Sequence, residues 1–474
     1  ARGFREKRIQ VCIGGFHVGG CLAMLPELTT ELQEALDLGV SLFAGEAEEG
    51  RLDQVLQDAW QQNLQPIYNY MDDLPGMENA PTPFTSIDRV KHTVGSQASF
   101  DAGRGCPFLC SFCTIINVQG RNSRYRNADD VERIIRDHLQ QGIKRFFITD
   151  DNFARNRNWK AIYQRLIELR ERESLNFNLA LQVDTMCHKI KGFIEMSAQA
   201  GVKRVFIGLE NINPESLMGT RKKQNKIAEY RKNLLAWKQV KVFTIAGYIL
   251  GFPNDTPESI IRDIEIIKRE LPLELLEFFF LTPLPGSQDH KELAERGVAM
   301  DPDLNKYDLN HVVTAHDTMS KAQWEAVYRK AWDTYYTPEH VETLMRRAIV
   351  SGFSPGKVLG SVVWFYASIV VEGVHPLESG YIRRKYRLDR RPTLPLESPL
   401  IFYPRYVKEF VSKHWFMLRL LWKYHRKRNA LLADPGSKHY TDQALTPVQD
   451  DEQDVFELYN VVEDKTVIEE RKTG

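Results

Sequence analysis

Three of the six cysteines in this 474-residue chain fall within eight residues, in Gly103-Arg104-Gly105-Cys106-Pro107-Phe108-Leu109-Cys110-Ser111-Phe112-Cys113. The spacing is C-x3-C-x2-C. Thiolates placed this way can hold three corners of a cubic iron–sulfur cluster, leaving the last iron open to a substrate or cosubstrate. Glycines before Cys106 let the backbone turn tightly around such a body. A structural zinc ion wants four ligands. No fourth Cys or His adjoins the trio, and the nearest, His92, lies 14 residues upstream. Zinc would thus need a remote donor. Plain buried thiols are the other alternative. Six cysteines in this length form no disulfide framework and point to a reducing compartment.

The elements that must position the trio alternate regularly. Strands are expected at Gln97–Ala102, Arg145–Asp150, Leu179–Asp184, Arg204–Glu210, Phe243–Leu250 and Leu276–Leu281. Helices are expected at Ala128–Gln141, Arg157–Arg172, His188–Ala200, Pro214–Gln239 and Pro257–Glu270, with Gln288–Arg296 after the last strand. Apolar strands such as RFFITD suit a parallel sheet covered by helices. Six such units predict a partial (β/α) barrel of the TIM type, with its chemistry at the C-terminal ends of the strands. The trio lies in the loop after the first of them.

Ahead of the barrel, a strand at Ile9–Ile13, a helix at Pro26–Leu36, a strand at Val40–Ala44 and a helix at Leu52–Gln61 read as the end of another parallel α/β domain. The fold class is therefore α/β: a Rossmann-like remnant over 1–71, a linker over 72–95 and the barrel over 96–300. A helical extension over 301–351 and a basic, aromatic region with an acidic tail over 352–474 follow.

Lys+Arg and Asp+Glu both number 63, which excludes a uniformly basic nucleic-acid coat. The charge is uneven, however. Residues 383–428 hold 14 basic and 3 acidic residues, and 429–474 hold 4 and 11. The two regions could pair internally. The basic, aromatic stretch could also meet a lipid surface or a nucleic acid. Val358–Val371 carries no charge in 14 residues, too short for a membrane span of ~20 and read as a buried element.

The motif resembles that of the radical S-adenosylmethionine (SAM) superfamily, C-x3-C-x-aromatic-C, through Cys106, Cys110, Phe112 and Cys113. The resemblance covers roughly 96–300. It implies a [4Fe–4S] cluster on the three cysteines, chelation of SAM by the open iron, and a 5′-deoxyadenosyl radical that abstracts hydrogen from a substrate. It also implies SAM or substrate contacts at Phe112, Thr149, Asp150, Asp151, Gln182, Glu210, Gly247, Leu250, Gly251 and Phe252. Helix capping competes for Asp150 and Asp151, a structural hydrogen bond for Gln182 and Glu210, and a plain turn for Gly247 to Phe252.

Gly14-Gly15-Phe16-His17, Pro26-Glu27 and Gly45-Glu46-Ala47-Glu48 look like the final part of the cobalamin-binding domain that one class of the superfamily carries ahead of its barrel. Cys12, Cys21 and Cys187 are read as structural thiols. The resemblance implies cobalamin as a further cofactor and an electron donor such as flavodoxin or ferredoxin. The expected reaction is methylation or rearrangement of a lipid, pigment or other small molecule in the cytoplasm, with a peripheral membrane contact through 352–428. A radical tRNA-modifying enzyme and a non-enzymatic metal protein that docks a partner are the alternatives.

Overall fold

A computed structural model describes residues 1–447 apart from 79, 94, 223, 224, 380, 381 and 391–393. The first unit is a parallel sheet of β1 (Cys12–Gly14), β2 (Ser41–Ala44) and β3 (Ile67–Asn69), in that spatial order. Helices Phe16–Met24, Thr30–Asp37 and Arg51–Trp60 accompany it. Its small core is Val18, Cys21, Leu32 and Leu42. Two expectations are corrected here. The helix expected over 26–36 begins only at Thr30, because Leu25, preceding Pro26, is extended. A helix over Phe16–Met24 and the three-residue β3 were not expected. The pair Gly19-Gly20 lowers helix propensity, and three residues are too few to show a strand's alternation.

Residues 72–95 do not run free. Met77, Ala80 and Val90 are buried, and a short helix forms at Ile87–Val90.

The larger sheet consists of β4 (Ala98–Phe100), β7 (Arg145–Ile148), β8 (Asn178–Val183), β9 (Val202–Glu210), β10 (Phe243–Leu250) and β11 (Leu275–Phe280). All neighbours are parallel and lie in sequence order. A two-stranded antiparallel ribbon, β5 (Gly103–Arg104) with β6 (Arg124–Tyr125), brackets the cysteine loop. Leu179, Leu181 and Val183 of β8 are buried beneath helices, while Ala180 and Gln182 point to the opposite, inner face. Helix starts carry chemical signals. Asn127 accepts from the Asp130 amide, and Thr256 with Ser259 forms a reciprocal cap on Pro257–Glu270.

The helix expected over 214–239 is split into Pro214–Gly219 and Ile227–Gln239. The polar stretch between them offers no apolar spacing to bury. Likewise the helix expected over 188–200 starts at Phe193, after a tight turn at Cys187–Lys189.

Helix Lys321–Tyr335 packs on Pro257–Glu270 and on β11, Pro355–Ala367 also meets β11, and Pro338–Val350 packs on Pro355–Ala367. Val358, Leu359, Val362 and Val363 are buried, so the uncharged stretch is a core helix. A 35-residue helix, Pro399–Ala433, follows. Among the described residues no helix is long and apolar enough to cross a membrane. Most of the acidic tail lies outside the described residues. Of its first carboxylates, Asp442 pairs with Arg347 rather than with the basic helix. The basic residues that pair visibly use other partners, Lys413 with Glu372 and Lys427 with Glu342.

Candidate active site

The cysteine loop is pinned at several points along its length. The Cys106 amide donates to the Gly120 carbonyl (3.2 Å), the Ser111 amide to Thr220 (3.0 Å) and the Cys113 amide to Cys110 (3.2 Å). Cys106 and Cys110 are buried and Cys113 is half-buried. Burial, helped by the charge of Cys110, pushes the Cys106 thiol up to about 11 and the Cys113 thiol to about 12. Ionising them together calls for positive charge at that spot, which a bound metal supplies. Three thiolates on one tetrahedral ion would stand about 3.8 Å apart. With no fourth Cys or His adjoining the trio in sequence, three thiolates on one loop suit a cluster that keeps one iron open. His92, the remote donor considered for zinc, is exposed.

Asp150, at the end of β7, secures the approach to this loop. One carboxylate oxygen accepts from the amides of Ala102 (2.7 Å) and Gly103 (2.8 Å), and the other from the Asn156 amide group (2.9 Å). A Cβ on Gly103 would stand 2.5 Å from that Asn156 nitrogen, so only glycine fits. Burial raises the Asp150 carboxyl to about 7. Its oxygens are thus engaged in holding the loop, and it does not cap the helix Trp159–Arg172. Asp151 and Thr149 instead line a cavity of about 460 Å³, together with Phe16 of the first unit and Gly103 and Arg104 of the ribbon. Desolvation lifts the Asp151 carboxyl to about 6.

Two ionic links tie further strand ends to the loop. Asp184, after β8, takes the Arg155 guanidinium through both oxygens (2.8 and 2.9 Å), and that guanidinium lies over the Phe108 ring. Glu210, closing β9 at a φ of +65°, is paired with Lys222, whose ammonium sits 5.6 Å from the centre of the Phe112 ring. The register between β9 and β10 slips at this point, as bulges beside sites often do. Phe112 also meets Phe252 edge-on at 6.4 Å.

The glycine segment at the end of β10 is tightly packed. A Cβ on Gly247 would meet the Phe206 ring at 2.8 Å, and one on Gly251 would meet Trp324 at 1.9 Å. The Gly251 and Phe252 amides both donate to Asp255 (2.9 and 3.0 Å), which closes the turn. Leu250 is buried, and its carbonyl accepts from Leu281 and the Trp324 indole. Gln182 stays on the inner face of β8.

A family model described as the radical SAM superfamily matches residues 102–267. These residues form a radical SAM domain. Such a domain implies a [4Fe–4S] cluster and SAM. The chain is 26% identical over 306 residues to bacteriochlorophyllide d C-12(1)-methyltransferase of Chlorobaculum tepidum, covering 64% of this chain and 63% of that protein. It is 24% identical over 334 residues to hopanoid C-2 methylase of Rhodopseudomonas palustris, covering 70% and 60%. The chain thus spans under two thirds of the length of each. The solved radical SAM methyltransferase TsrM of Kitasatospora setae, with cobalamin and a [4Fe-4S] cluster bound, shares the fold. The TM-score is 0.52 at 16% identity, covering 72% of this chain and 70% of that one.

Around the radical SAM domain, sequence reasoning missed the cations. Arg155 and Lys222 face the loop from after β7 and β9 of the larger sheet. Arg104 and Arg124 grip the first unit. Arg104 pairs with Glu46, Glu48 and Asp101, and Arg124 takes both oxygens of Glu46. The Gly45-Glu46-Ala47-Glu48 segment is therefore clamped to the ribbon beside the cysteine loop. One signal was available: Arg104 lies inside the motif loop, between its two glycines.

Proposed function

We propose that this chain is a cobalamin-dependent radical SAM methyltransferase acting on a pigment, lipid or other small molecule. The observation that carries the reading is the cavity at the ribbon that brackets the cysteine loop, lined by Phe16 of the first unit and by residues of the barrel. Cys106, Cys110 and Cys113 would hold the cluster. When bound, the cluster supplies the electron that splits SAM, and a corrinoid supplies the methyl group. Residues 1–71 serve as the C-terminal part of a cobalamin-binding domain, 72–95 as the connector, 96–300 as the barrel, 301–351 as a helical brace and 352–474 as a surface region.

The chain's own residues give that chemistry its setting. Thr149 and Asp151 present polar groups to the cavity where the SAM amino group would lie. Lys222, braced by Glu210, fixes the Phe112 ring and with it the pitch of the loop between Cys110 and Cys113. The buried ring contacts around Phe112 and Phe252 keep water from the trio, as a reactive carbon radical requires.

The long helix supports a peripheral lipid contact. Leu400, Tyr403, Val407, Val411, Trp415, Leu418 and Trp422 recur at helical spacing and are exposed, with Lys408, Arg419 and Lys423 interleaved. Such a surface suits a cytoplasmic enzyme that takes an apolar substrate from a membrane.

Anaerobic reconstitution tests the reading. The chain should bind about four irons, cleave SAM when reduced and carry a corrinoid absorbance when cobalamin is supplied. A colourless protein holding a single zinc overturns it. Sedimentation with anionic vesicles, lost in a Trp415→Ser/Trp422→Ser variant, tests the lipid contact.

A further inference from the structure

We propose that His17, Cys21 and Glu31 form a second metal site, for a zinc-class divalent ion, where the first unit meets the barrel. The site does not depend on the cofactor reading given above.

His17 and Cys21 stand four residues apart on the helix Phe16–Met24 and so share one face. Glu31 comes from the first turn of the next helix, Thr30–Asp37. One ligand atom from each of the three lies within 4.8 Å of the others. His17 Nε2 is 3.0 Å from a Glu31 oxygen, and the Thr29 hydroxyl donates to that same oxygen and orients it. Cys21 is only 2% exposed, so the sulfur is sheltered while the nitrogen and oxygen are reached from solvent. A nitrogen, a thiolate and a carboxylate converging at this range match the donors zinc takes.

A fourth group comes from the barrel side of the same seam. His290, on the helix Gln288–Glu295 after the sheet's last strand, is 7% exposed, and its Nδ1 has no hydrogen-bond partner. A neutral imidazole is the form that binds metal. A buried ring nitrogen left without a partner is costly, and a short approach to an ion held by the other three would satisfy it. The seam is already tight: Gly20, on the same helix, allows no Cβ against Pro285 and Gly286, where the nearest atoms would be 2.7 and 2.8 Å away. An ion here would fasten the first unit to the barrel. Binding exchanges the Cys21 proton for the metal, so one proton is released per ion.

The test is metal content of the unaltered chain loaded with zinc alone after its iron is in place. One equivalent of zinc beside the iron is expected. Cys21→Ser and His17→Ala should lose it with iron unchanged, and His290→Ala should bind ~10-fold more weakly, as loss of a supporting group does. In a Cys106→Ala/Cys110→Ala/Cys113→Ala chain, which offers no cluster site, cobalt(II) should give a thiolate-to-metal charge-transfer band that zinc abolishes. Absence of that band, or its survival in the Cys21→Ser version of the same chain, overturns the site. It would leave a His17–Glu31 ion pair beside a buried thiol. The band is read on a chain with Cys21 in place, so a misfolded Cys21 variant leaves the test intact.

Discussion

The His375 ring and the Glu277 carboxylate face each other across 4.0 Å within the protein, each with a polar atom that has no hydrogen-bond partner. His375 Nδ1 accepts the Leu377 amide (3.2 Å), which puts the neutral ring's proton on Nε2, toward Glu277. Burial raises Glu277 from 4.5 to about 8 and lowers His375 from 6.5 to about 3. Between pH 3 and 6.5 the unfolded chain binds the histidine proton more readily, so stability rises with pH. Between 4.5 and 8 the folded chain keeps the glutamate proton, so stability falls as pH rises. The two slopes cancel from about 4.5 to 6.5. The expected outcome is a stability plateau in that window, with losses on both sides. Glu277→Gln should remove the alkaline decline and leave the acidic one. Melting temperature against pH checks this, and an unchanged alkaline slope contradicts it.

Gly251→Ala should damage the barrel. The residue has a φ of +99°, and its Cβ would lie 1.9 Å from Trp324. Strain and overpacking together predict a loss of about 2–4 kcal/mol. Denaturant unfolding measures it. A companion Trp324→Leu change should recover only the steric share.

Lys222→Met should strike the site more than the fold's outline. It strands Glu210, which is largely buried, and frees the Phe112 ring. Reductive SAM cleavage should fall roughly 100-fold, the scale of a small misplacement near reacting atoms. Lys222→Arg should retain more of it. Equal rates in the Met variant and the parent would remove Lys222 from the site.

Glu46→Gln should loosen the two units from each other. Both Arg104 and Arg124 rely on this carboxylate, which is only 10% exposed. Breaking such a buried pair costs about 3 kcal/mol or more. Limited proteolysis should then cut within residues 72–95, where the parent resists.

What the sequence made readable was local. β10 was placed to the residue because its apolar run is bounded by Lys241 and Gly251. Helix Pro257–Glu270 was placed equally well because Thr256 and Pro257 mark its start. The thiol trio was readable because its spacing lies within one loop. The partners of that loop were not. Glu46 meets Arg124 across 78 residues and Arg155 meets Asp184 across 29. No periodicity announces such meetings; only the sheet brings them together. Nor does any local pattern announce that Gly20 packs bare backbone against Gly286.

That bare backbone contact between Gly20 and Gly286 has a mechanical result. Because neither residue carries a side chain, even a methyl added at Gly20 or Gly286 would wedge the leading segment off the rim, and an ion seated nearby would resist that parting.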